Sequence, residues 1–241
     1  MGNPLIILTN SLINLIYPAR CVSCGRKSEG TETTELCIPC VASIRKNPKP
    51  WCSVCGRALV NARVICPDCS RASPSFDRAY SAFLYDGALK EAIHSFKYKG
   101  QASFSKLFSS LLIRFVDDNP ELIRGIDFVT FVPMHRKRAR GKDFNHSKVL
   151  ANIISKEYDI KLLDILSKVR LTRPQSELSR NDRIANLAGT FRVRDKMNIS
   201  GMSILVVDDV MTTGSTLSEC ALTLKNSNAR EVRCLTLSRG M

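Results

Sequence analysis

Three groups of residues have the types and spacing that chemistry needs. The first is eight of the ten cysteines, arranged as Cys-x-x-Cys pairs: Cys21/Cys24, Cys37/Cys40, Cys52/Cys55 and Cys66/Cys69. Such a turn aims two sulfurs at one ion, and two turns complete a tetrahedral cage. Four pairs therefore imply two closed structural zinc sites, with no coordination position left for water. Sequential pairing puts Cys21, Cys24, Cys37 and Cys40 on one ion and Cys52, Cys55, Cys66 and Cys69 on the other. Interleaved pairing satisfies the same spacing, so both stay open. Four regular pairs fit zinc better than four independent redox dithiols. The second group is Asp208-Asp209, followed after two residues by Thr212-Thr213-Gly214-Ser215-Thr216. Neighbouring carboxylates accept hydrogen bonds from the vicinal hydroxyls of a sugar. A small-residue loop at a helix start offers backbone N–H groups and hydroxyls to a phosphate. The third is the basic stretch His135–Lys142, with Arg136, Lys137, Arg138, Arg140 and Lys142. It suits a diphosphate, and it suits nucleic acid equally well.

These groups need elements to position them. Residues 20–72 hold the cysteine pairs, are rich in loops and have too little apolar sequence to bury a core unaided, so metal staples them. Residues 1–19 form an apolar leader, with a core or amphipathic helix expected over Leu5–Ile16. Its interruptions and its lack of a basic start argue against a secretory signal and for a cytoplasmic chain. No apolar run reaches the roughly 18 residues of a membrane span. From residue 73 to 241 the pattern becomes that of a larger domain. Strands are expected over Ala79–Tyr85, Phe128–Val132, Ile204–Val207 and Val232–Leu237. Helices are expected over Ala88–Phe96, around Phe104–Phe115, over Ser147–Tyr158 and over Thr216–Lys225. Alternating strands and helices predict an α/β fold with a parallel sheet. Residues 170–190 read as a long polar loop. Cys220 and Cys234 stand alone in apolar surroundings and read as core residues.

The net charge is +14. Two four-thiolate zinc sites, each formally −2, would bring it to about +10. A surplus of that size attracts phosphates, on nucleic acid or on a small anionic substrate. With no GxxxxGK[ST] present, the 208–216 string is not a nucleotide-triphosphate loop. An acid pair after a strand can also hold Mg²⁺ as in phosphoacceptor domains, but the TTGST that follows favours a sugar phosphate.

The string Ile204-Leu-Val-Val-Asp-Asp-Val-Met-Thr-Thr-Gly-Ser-Thr216 resembles the PRPP (5-phosphoribosyl 1-diphosphate) motif of type I phosphoribosyltransferases. Tyr85-Asp-Gly, Ile93-His-Ser-Phe-Lys-Tyr-Lys-Gly100, Val132-Pro-Met-His-Arg-Lys-Arg and Thr172-Arg-Pro-Gln-Ser-Glu-Leu extend the likeness, as do Arg183, Asn186, Gly189 and Phe191. Together with the cysteine module they resemble the ComF family over nearly the whole chain. The chain departs from that family's RGFNQ at Lys142-Asp-Phe-Asn-His146, where Asp143 and His146 replace Gly and Gln.

The resemblance implies a type I phosphoribosyltransferase-like sheet behind a double zinc ribbon. It implies PRPP bound with Mg²⁺ by Asp208, Asp209 and residues 212–216. The pyrophosphate loop falls at Met134, His135 and Arg136. Lys97 and Lys99 are further candidates for phosphate contacts, and the Arg170–Asn186 loop for a lid. Family relatives are associated with DNA uptake in natural transformation, so single-stranded DNA and the uptake machinery are implied partners, with Trp51, Phe144 and Tyr98 as stacking candidates. Three functions follow: phosphoribosyl transfer to an unidentified acceptor, non-catalytic single-strand binding, or PRPP sensing without turnover.

Overall fold

The computed structural model describes residues 20–27, 35–60, 63–99, 102–135, 144–172, 186–194 and 197–240, with backbone only at 98, 99, 102 and 103. The leader and its expected helix lie outside the described residues.

Each half of the cysteine region ends in one short helix, α1 (Ile38–Ala42) and α2 (Pro67–Arg71). Cys37 and Cys66 are their N-caps, and prolines at the first helical positions pre-set the turn. Beyond them run β1 (Arg78–Leu84), α3 (Gly87–Lys99), α4 (Ala102–Asp117), β2 (Phe128–Phe131) and α5 (His146–Glu157). The chain continues through β3 (Leu166–Lys168), β4 (Phe191–Val193), β5 (Ser203–Met211), α6 (Ser215–Lys225) and β6 (Glu231–Arg239).

Four strands form one sheet in the order β1-β6-β5-β2, and every neighbouring pair is parallel. All four carboxyl ends therefore lie along one edge. Ser203–Val207 are buried without interruption, as a parallel strand covered on both faces requires. Val129, Phe131, Leu205, Val207, Leu235 and Leu237 pack against residues of α3, α4 and α5. Phe96, Phe104 and Phe108 meet at centroid distances of 5.1–6.3 Å in that layer. Ile204, Val206, Val232 and Cys234 face Leu217, Cys220 and Leu224 of α6 instead, together with the cysteines of the second ribbon.

The α/β architecture matches expectation, and the main strands fall within two residues of their expected starts. Two differences have clear causes. β5 runs to Met211 rather than Val207, because Asp208, Val210 and Met211 pair with Thr236, Ser238 and Arg239 of β6. The acid pair thus sits inside the strand. β3 and β4 pair antiparallel in a separate two-stranded sheet that the sequence did not announce. Three residues per strand leave no alternation to read. Of the expected 170–190 loop only the two ends are described, and Arg170 joins them by donating to the carbonyls of Asn186 (3.0 Å) and Ala188 (2.9 Å).

The ribbons clasp the edge strand. The amide of Asn47 donates to Ala82 O (3.0 Å), that of Leu84 to Arg45 O (3.0 Å), and that of Ala79 to Val54 O (2.8 Å). The buried Asn47 side chain donates to Gly56 O and Ser81 O. Gly56 has φ +67°, and a Cβ there would lie 2.5 Å from Ala79 O. Only glycine lets the second ribbon come this close.

Candidate functional site

Asp208 and Asp209 lie toward the carboxyl end of β5. The Ser147 hydroxyl, in the first turn of α5, donates to Asp208 Oδ1 at 2.7 Å, and the Asp209 amide donates to the same oxygen at 2.9 Å. Burial pushes the Asp208 carboxyl up to about 7, and the neighbouring Asp209 charge adds to that rise. The bonds from Ser147 and the Asp209 amide oppose it. Asp209 pairs with Lys97 Nζ of α3 at 2.7 Å and accepts from the Val210 amide at 2.7 Å. Burial works to lower the Lys97 pKa, yet the Asp209 carboxylate outweighs it and holds the ammonium charged. The pair is therefore asymmetric: one carboxyl titrates near neutrality and its neighbour is ion-paired.

β5 ends one residue before Thr212, which is exposed. Gly214 is the N-cap of α6, with φ +81°. Thr213 Oγ1 and Ser215 Oγ lie 2.8 Å apart. Thr216 is in the first turn of the helix, and the Ser215 amide donates to Thr213 Oγ1 at 3.4 Å. β2 is the neighbouring strand, and the Val132 amide donates to Val207 O at 3.1 Å. The segment through Met134 and His135, both half-buried, thus starts beside the acid pair. Asn145 caps α5 by accepting from the Lys148 amide, and its Nδ2 donates to Val132 O at 3.1 Å. That anchors Ser147 against Asp208. Arg136, the rest of the basic stretch, the side chains of Tyr98 and Lys99, and residues 173–185 of the Arg170–Asn186 loop expected as a lid lie outside the described residues.

Lys97, expected as a candidate phosphate contact, instead pairs with Asp209, and Ser147 is not among the expected site residues; nothing local shows that either meets the acids. The stacking candidates Phe144 and Trp51, and His146 beside Phe144, pack against neighbouring rings. His146 is buried with its ring 5.0 Å from Phe96 and 4.9 Å from Phe144, and Phe144 itself packs 5.5 Å from Phe96. Trp51 stacks 5.8 Å from Phe115, and its Nε1 donates to Asn47 O.

The structure also selects the cysteine pairing. The sulfurs of Cys21, Cys24, Cys37 and Cys40 lie within 4.8 Å of one another, and so do those of Cys52, Cys55, Cys66 and Cys69. Pairing is sequential. Burial works to raise the Cys21 thiol, but backbone N–H groups from Cys37, Cys24 and Ser23 bring it down to about 6. Burial and Cys37 drive Cys40 up to about 12. In the second tetrad burial opposes ionisation of Cys52, and N–H groups from Cys55, Cys66 and Val54 bring it to about 7, while burial lifts Cys69. Four thiols this close ionise together only around a cation, so both tetrads fit zinc.

Residues 12–70 match the family model of the double zinc ribbon domain, and residues 145–241 match that of the phosphoribosyl transferase domain. The chain is 29% identical to Competence protein F of Haemophilus influenzae over 224 residues, covering 91% of this chain and 96% of the relative. It is 28% identical over 211 residues to DNA utilization protein YhgH of Escherichia coli, covering 85% and 90%. Against Competence protein ComFC of Bacillus subtilis it is 26% identical over 218 residues, covering 85% and 84%. The chain thus resembles competence and DNA-utilization proteins over most of its length, with a double zinc ribbon ahead of a phosphoribosyl transferase domain. The phosphoribosyl transferase match opens at Asn145, the cap of α5, and runs through β5, the 212–216 loop and α6 to the end of the sheet. Among the described residues no helix is long and apolar enough to cross a membrane.

Proposed function

We propose that the chain binds PRPP together with Mg²⁺ at the carboxyl edge of the sheet. The observation that carries this reading is the continuity of acid pair, left-handed Gly214 and helix start at the end of β5. Asp208 and Asp209 accept hydrogen bonds from the ribose hydroxyls. The N–H groups and hydroxyls of residues 212–216 hold the 5′-phosphate. Met134 and His135 line the diphosphate side, and the basic stretch follows them in the sequence. Mg²⁺ neutralises diphosphate charge when it is bound. A nitrogen nucleophile attacking C1 would expel pyrophosphate from a cation-rich site, and the oxocarbenium-like ribose would develop beside the two carboxylates. Lys97 leaves Asp209 for a ligand phosphate as the ribose arrives. The acceptor is outside what these residues define.

Calorimetric titration of PRPP with Mg²⁺ tests the reading in the wild type and in the Asp208→Ala/Asp209→Ala variant. Binding by the wild type and at least a 100-fold loss in the variant are expected. A zinc-loaded, folded wild type that takes up no PRPP overturns it. Turnover is read separately, as pyrophosphate release across a panel of nitrogen acceptors.

We further infer a role in DNA uptake or utilisation, supported by the names of the relatives and by the +14 charge. Single-strand affinity that falls steeply with salt is expected, and no binding at low salt removes the direct form of this role.

A further inference from the structure

Arg239, the last residue of β6, is only 4% exposed. Among the described residues it has no carboxylate partner. A guanidinium stays protonated at any physiological pH, and a buried charge needs a counter-charge. Its side-chain hydrogen bonds go to Cys55 and Met211. Nη1 donates to Cys55 O at 2.7 Å and to Met211 Sδ at 3.4 Å, and Nη2 reaches Cys55 Sγ at 3.6 Å. Cys55 belongs to the second tetrad, whose four cysteines are all buried. The other nearby cation, Arg57, is already paired with Asp68 at 2.8 Å.

We propose that Arg239 is the resident counter-ion of the second zinc cage, a positioning residue that fastens the cage to the sheet. A zinc ion held by four thiolates is formally −2, and this cage is shut away from water. Arg239 supplies one compensating charge at a sulfur. Through Met211 the same guanidinium reaches the end of β5, where a Cβ on Gly214 would lie 2.7 Å from Met211 Cε. The first cage keeps Cys24 at the surface, where water screens its charge. The two zinc sites therefore differ in kind, one solvated and one held by the sheet. This inference rests on zinc in the tetrads and is independent of PRPP.

The test is zinc release to a chelating dye from the purified full chain, for the wild type, Arg239→Met and Arg239→Lys. Alkylation of the freed thiols, mapped by mass spectrometry, reports which tetrad has opened. Arg239→Met should lose one zinc at least ten-fold faster, with labelling confined to Cys52, Cys55, Cys66 and Cys69. Arg239→Lys keeps the charge without the forked geometry and should fall between the two. Unchanged release, or equal acceleration at both cages, overturns the proposal. If Arg239→Met does not accumulate folded, the lysine variant decides alone: faster release from the second cage supports the proposal and wild-type release refutes it. A folded wild type that binds fewer than two zinc ions defeats the metal reading itself and the proposal with it.

Discussion

Asp208 is a carboxyl whose surroundings disagree about its charge. Burial and Asp209 favour the neutral form, while Ser147 and a backbone N–H favour the anion. With a folded value near 7 and an ordinary value of 3.8, the folded chain keeps a proton that the unfolded chain has lost between those limits. Stability from this group is full at the acid end and declines as pH rises through the window, at up to about 1.4 kcal/mol per pH unit. Asp208→Asn removes that contribution. Urea denaturation at pH 5, 6, 7 and 8 should show the wild type losing ground to the variant as pH rises. Parallel curves would refute the assignment. The identity of both acids was legible from their place after an apolar run. Their unequal state was not, because it depends on Ser147 and Lys97, 61 and 112 residues away in the sequence.

Between β5 and α6 the turn is tightly specified. Gly214 sits at φ +81° and caps a helix with no side-chain bond to help it. Gly214→Ala places a Cβ in the left-handed region and against Met211 Cε, which has to shift. About 1–2 kcal/mol of destabilisation is expected in denaturant titration, with PRPP affinity falling further than stability does. Equal stability would mean that the turn tolerates a side chain. The glycine and its small neighbours announced this turn in the sequence. The strand's extension to Met211 did not, since it exists only because β6 supplies partners for Asp208, Val210 and Met211.

Across the molecule, the cysteine ribbons close one edge of the sheet. β1 ends the sheet, and an open edge is a template for unwanted pairing. Asn47, Arg45 and Val54 occupy its outer hydrogen-bonding groups, while Cys21 and Cys37 belong to one core layer and the second tetrad to the other. The ribbons are thus part of both layers. Chelation of zinc should raise amide exchange in the peptide spanning residues 78–85 as well as in the cysteine region, and it should lower the melting temperature of the whole chain. Exchange confined to residues 20–72, with an unchanged melt, would show the ribbons to be a detachable module.

The sequence by itself determined the cysteine pairs, the acid pair with its phosphate-type loop, the parallel α/β plan and the buried isolated cysteines. All of these follow from local spacing, periodicity and turn chemistry, which operate over a few residues. Tertiary structure alone decided the rest. It chose sequential cages, turned His146 and Phe144 into the aromatic core, brought Lys97 and Ser147 to the acids, and aimed the buried Arg239 at Cys55. Each of those outcomes joins segments that meet only when α3, α5 and the ribbons pack on the sheet. No local pattern encodes which charge will be buried, or beside which partner, because burial is a property of the finished core.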